Sequence, residues 1–176
     1  MLFLNSTKKL TRTAILLAIT LAFQALRFIP FIGTLPYGTY IIGSLVNLML
    51  LMTALTVGID SAVFISIVTP IVAFMQGHLV FPLLIPVIAL GNIIVCVLFY
   101  YIKGYNKYAA VAIGAVAKWI FLYYAVQLVL SSFMKLPPEK FAVAIAAFNV
   151  PQLITALIGG FLSIVIYQLL PENLKN

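Results

Sequence analysis

Six long apolar stretches follow one another along this chain, at residues 10–29, 38–57, 61–76, 82–101, 108–132 and 146–169, with only short polar connections between them. A bilayer core about 30 Å thick takes roughly 20 apolar residues as a helix, and inside lipid a spanning segment must satisfy its own backbone hydrogen bonds. The pattern therefore predicts an all-α integral membrane protein, a six-helix transmembrane bundle in one domain covering residues 1–176. A water-soluble fold fails on composition. Of the residues, 65% are hydrophobic and 7% charged, too few charges to coat a surface facing water.

The same reading shows where regular helix should fail. The third stretch is short and carries Pro70, and the fourth opens with "FPLLIP", so residues 76–86 are expected to be partly non-helical. Irregular backbone at membrane depth is tolerated only where protein or a watery cavity surrounds it. The start, "NSTKKLTRTAILLAITLAFQALRF", has the basic-then-apolar order of a secretory signal. It runs past Gln24 to Arg27 without a small-x-small cleavage pattern, however, and reads as a first span.

Orientation follows the lysines and arginines of the loops. With the N-terminus inside, the cytoplasmic side carries Lys8, Lys9, Arg12, Lys103, Lys107 and Lys175, and the outer side Arg27, Lys135 and Lys140. Both termini are then cytoplasmic. The net charge of +7 is thus a topology signal; the bases come in ones and twos, not in the patch that nucleic acid requires. Cys96 is a single cysteine, and His78, in the outer "QGHLV" loop, has no companion ligands. No disulfide, metal or cofactor is expected.

One charge sits where a bilayer tolerates it least. Lys118 falls near the middle of the fifth stretch, on the order of 15 Å from either boundary at 1.5 Å per residue, too deep to snorkel. Insertion scales put such a side chain at about 2.5 to 3.5 kcal/mol, so it should face the protein interior or a wet cavity and be paired. The acids Asp60, Glu139 and Glu172 all lie in or beside loops, leaving no intramembrane carboxylate. Lys118 is then either a structural lysine capped by backbone carbonyls or a cationic site awaiting an anionic or carbonyl-bearing ligand.

Asn92 lies at a similar depth, and Gln24, Arg27, Asn149 and Gln152 extend a polar set biased to the outer half. Trp119, Tyr123 and Gln127, at i, i+4 and i+8, form a face beside Lys118 that could stack on a flat ring. Taken singly, each has a plainer role as interhelical hydrogen-bond partner, core packing or interfacial anchor. Ala14, Ala18 and Ala22 form a smooth strip turned away from Gln24 and Arg27, where a helix of this chain or of a partner can approach closely. Thr155, Gly159 and Ser163 make a similar strip on the sixth stretch, its neighbour left open.

The succession "LTRTAILLAITLAFQ", "GSLVNLMLLMTALTVG", "IALGN", "AVAKWIFLY" and "PQLITALIGGFL" resembles the substrate-binding S components of energy-coupling factor transporters over nearly the whole chain. The resemblance implies a six-helix bundle in a prokaryotic cell membrane that captures a vitamin-like nutrient from outside. It implies that Ala14, Ala18 and Ala22 dock on a membrane coupling protein, itself seated on two cytoplasmic ATPases. It also implies a ligand pocket among helices four to six and the outer loops, where Asn92, Lys118, Trp119, Tyr123, Asn149 and Gln152 fall. The loaded bundle would topple to present its ligand inward, reset by ATP hydrolysis in the partners. Pantothenate-like and lipoate-like acids, flavins and modified bases all remain open as ligands.

Other classes fit less well. Without a Walker motif the chain cannot hydrolyse ATP, and without an intramembrane carboxylate a stand-alone proton-coupled carrier is disfavoured. Acid–base or metal catalysis needs paired groups of matched pKa; one histidine, one cysteine and loop-bound acids supply none, so the chain is not expected to be an enzyme. The competing reading is a noncatalytic membrane scaffold or assembly subunit, for which the alanine strip alone would suffice.

Overall fold

A computed structural model describes residues 6–33, 37–134 and 137–175. Lys135, assigned above to the outer side, lies outside them. The described residues form helices and no strand. Helix α1 (Ser6–Ala25) runs into a 3-10 turn, Leu26–Phe28, and a short α2 (Pro30–Gly33). Then come α3 (Gly38–Thr56), α4 (Ile59–Met75), α5 (Leu84–Ile102), α6 (Lys107–Phe133), α7 (Pro138–Ala147) and α8 (Val150–Leu169). Five helical segments are long and apolar enough to cross a membrane: Ser6–Phe28, Gly38–Thr56, Leu84–Ile102, Lys107–Phe133, and Pro138–Leu169 taken across its break. α4, apolar and 17 residues long, spans about 25 Å at 1.5 Å per residue.

Two expectations of regularity need correction. α1 begins at Ser6 rather than residue 10, and the segment before the sixth stretch is not a plain loop but α7. Pro138 opens α7 at a position where a missing N–H is harmless. Pro151 separates α7 from α8: it has no N–H to give Ala147, and its ring would clash with that carbonyl. The side chain of Gln152 reaches the Ala147 oxygen instead, at 3.5 Å. Residues 76–83 are non-helical, as "FPLLIP" suggested, and α4 closes on Gly77 at φ +74°, the left-handed conformation glycine adopts freely.

The pair α3 and α8 makes the most extensive helix contact in the bundle, followed by α5 with α6 and α4 with α5. The Thr155, Gly159 and Ser163 strip of α8 faces α3. A Cβ on Gly159 would collide with the Ser44 carbonyl and lie 2.7 Å from the Leu48 nitrogen, so glycine is what lets the two backbones meet. The Ala14, Ala18 and Ala22 strip is exposed along its length, while Thr13 and Thr20 on the other side of α1 are buried. It therefore does not serve packing within this chain.

Buried side chains form two apolar clusters. One joins Leu50, Leu51, Ile65, Val95, Phe99, Val111 and Ile164; the other joins Leu79, Leu84, Val87, Leu122, Val126 and Leu130, with α7 packed against it. Four basic residues, Lys9, Arg12, Lys103 and Lys175, gather at the bundle end nearer the first cluster. There Lys9 pairs with Asp60 at 2.8 Å, Arg12 donates to the carbonyls of Thr56 and Asn173, Lys103 donates to Ala54 O, and Lys175 pairs with Glu172.

Candidate functional site

Between the two clusters lies a polar layer centred on Lys118, which is 3% exposed. Its ammonium donates to Asn47 Oδ1 at 2.7 Å and to Asn92 Oδ1 at 2.8 Å. Both amides are oriented from behind. Asn47 Nδ2 donates to Gly43 O at 2.9 Å and Thr155 Oγ1 at 3.4 Å, and Asn92 Nδ2 donates to Thr69 Oγ1 at 3.4 Å. Lysine has only donors to offer, so the amide oxygens must be the atoms turned toward it. Five helices, α3, α4, α5, α6 and α8, thus converge on one cation.

No carboxylate is within ion-pair distance of it among the described residues. The cap differs from the backbone-carbonyl arrangement expected from sequence: it is built from side-chain amides, and it leaves the charge in place. Two charge-assisted bonds contribute about 1.5–3 kcal/mol each, against a desolvation penalty of several kcal/mol for a buried ion. The layer holds the lysine without neutralising it, and among the described residues its amide partners take two of its three N–H donors.

Above this layer opens a cavity of about 670 Å³, within the usual range for small-molecule sites. Its lining is one-sided. On α3 it reaches Asn47 and no further, on α5 Asn92, on α8 Thr155, and on α4 it begins at Thr69. Lys118 is the sole contribution of α6 and forms the floor. The first apolar cluster, with Leu50, Leu51, Phe99 and Val111 almost wholly buried, seals the space beneath. At the opposite end stand Arg27, His78, Glu139 and Lys140.

Of the residues singled out by sequence, Gln24, Arg27, Asn92, Lys118 and Gln152 line this cavity, whereas Trp119, Tyr123 and Asn149 do not. Trp119 Nε1 instead donates to Asn149 Oδ1 at 3.0 Å, and Tyr123 meets Tyr124 edge-on. The inward face of α6 is Ala115, Lys118, Leu122 and Val126; one residue further is a step of 100°, which carries Trp119 off the cavity. Gln24 Nε2 donates to Thr69 O at 3.2 Å, tying α1 to the wall.

His78 is a cavity residue rather than a free loop histidine. Its ring lies 5.0 Å from that of Phe28, and its Nε2 is buried without a hydrogen-bond partner among the described residues. Burial, and secondarily the charge of Arg27, hold the imidazole below its ordinary value of 6.5. Asn47, Thr69 and Thr155 were not foreseen as site residues. Asn47 carried the same signal as Asn92, an amide inside an apolar run at similar depth.

No family profile, curated protein or solved structure matches the chain.

Proposed function

We propose that this protein is the substrate-capture subunit of an energy-coupling factor importer. It takes up a small, vitamin-like solute from the outside of a prokaryotic cell membrane and delivers it inward when docked on a coupling protein and two ATPases. The observation that carries the reading is the one-sided cavity floored by Lys118, an ammonium with amide partners and no counter-charge. A cation maintained at that depth is unfavourable for a scaffold and useful for a receptor of anions. In this reading the chain crosses the membrane six times with both termini cytoplasmic, since the clustered Lys9, Arg12, Lys103 and Lys175 satisfy the positive-inside rule and the cavity then faces outward.

The exposed strip of Ala14, Ala18 and Ala22 supports docking. With no side chain beyond Cβ, it allows a partner helix to approach closely in lipid. Capture without a motor domain accounts for a chain that has a binding cavity and no Walker motif. The test is reconstitution in vesicles with a coupling protein and its ATPases. ATP-dependent accumulation of a solute that co-purifies with the isolated chain supports the proposal. A chain that releases no small molecule and still assembles with membrane partners is a scaffold.

A further inference from the structure

The cavity also specifies the kind of molecule that fits it. Between its two ends the walls are mostly apolar, formed by Ile42, Val46, Ile88 and Phe148, with Gln24 and Gln152 as polar side chains among them. No tyrosine or tryptophan ring borders it, and Trp119, the one indole of the chain, is engaged with Asn149 elsewhere. A flat polar heterocycle is recognised by donors and acceptors placed along its edges; these walls offer few, and the amide nitrogens of Gln24 and Gln152 are already engaged by the Thr69 and Ala147 carbonyls. At the floor the unmet demand is for negative charge and for an acceptor, since among the described residues the amide partners of Lys118 take two of its three N–H donors and no carboxylate is near it.

We infer that the ligand is a small monoacid with a slender apolar body, its carboxylate on Lys118 and its body along these walls. This rests on the capture reading and narrows it. A neutral carbonyl would take an N–H and leave the charge uncompensated, whereas a carboxylate takes the N–H and compensates the charge, through a bond roughly twice as strong. Head-down is the favoured orientation because Lys118 is 3% exposed, while Arg27 is only half-buried and lines the end of the cavity that also holds the exposed Lys140 and Glu139, where water and salt weaken its pull. Arg27 then steers the acid inward and Lys118 holds it.

The test uses the full chain in lipid nanodiscs and calorimetric titration with two matched pairs, 3-phenylpropionate against 3-phenylpropanamide and octanoate against octanamide, with riboflavin as a flat-ring probe. Each acid should bind at least about 10-fold more tightly than its amide. Lys118→Gln should erase that preference, and Arg27→Gln should keep it. Equal binding of acid and amide, no binding of either acid, or a preference that depends on Arg27 and not on Lys118 overturns the inference. Should Lys118→Gln fail to fold, the acid-to-amide ratio of the unaltered chain decides by itself. Tight riboflavin binding without acid binding removes the monoacid and leaves capture standing; a chain from which no small molecule can be recovered loses both.

Discussion

Lys118 is held as an ion by groups that do not cancel its charge, and the residues around it differ in what they contribute. Lys118→Met should abolish capture or weaken it by about 100-fold, the scale on which a buried charge partner is lost. Asn47→Ala and Asn92→Ala should each weaken it less, by roughly 10-fold, because one amide oxygen still holds the ammonium; titration of the identified ligand reads both. His78 supplies a pH signature. Its imidazole titrates below 6.5 in the folded chain, so the unfolded state binds the proton more readily. Stability is then complete above about pH 6.5 and falls as pH drops through that value toward the folded pKa. As the single histidine, it dominates the window between pH 7 and 5. Thermal unfolding in nanodiscs should show the loss in the parent chain and not in His78→Gln. Lys118 and Asn92 could be read from sequence because a buried polar group in a bilayer demands a partner whatever the fold. Asn47 carries the same signal, and Trp119 and Tyr123 lie off the cavity because adjacency in sequence is not adjacency around a helix.

At the level of elements, the apolar periods located the long helices to within a few residues, whereas α7 and its break depended on where two prolines fell relative to a hydrogen-bond ladder. The α3–α8 crossing is held at backbone distance by Gly159. Gly159→Ala should destabilise the chain by about 1–3 kcal/mol through overpacking and displace Asn47 from Lys118, seen as a lower melting temperature together with weaker ligand binding. The alanine strip should behave in the opposite way. Ala14→Leu and Ala18→Leu, on an exposed face, should leave melting temperature and ligand affinity unchanged and reduce co-purification with the coupling protein. Loss of folding instead would mean the strip packs within the bundle. That one strip meets another helix of the same chain and the other meets none could not be read from spacing, which is alike for both; the partner of each is set by tertiary arrangement.

For the whole molecule, the two halves differ: a sealed apolar half lies beneath Lys118 and an open half above it. Impermeant maleimide should label Val80→Cys in intact cells and Tyr105→Cys only after permeabilisation, since both positions are exposed and lie at opposite ends, while the native Cys96 is buried and silent. The reverse pattern would invert the topology and turn the cavity toward the cytoplasm. The central claim, that Lys118 holds an imported anion at the floor of this cavity, is tested most directly by mass spectrometry of the small molecules released from gently purified protein, comparing the parent chain with Lys118→Met at equal melting temperature. A small acid bound near one per chain in the parent and absent from the variant is the predicted result. The same molecule retained in both, or none in either, contradicts the claim.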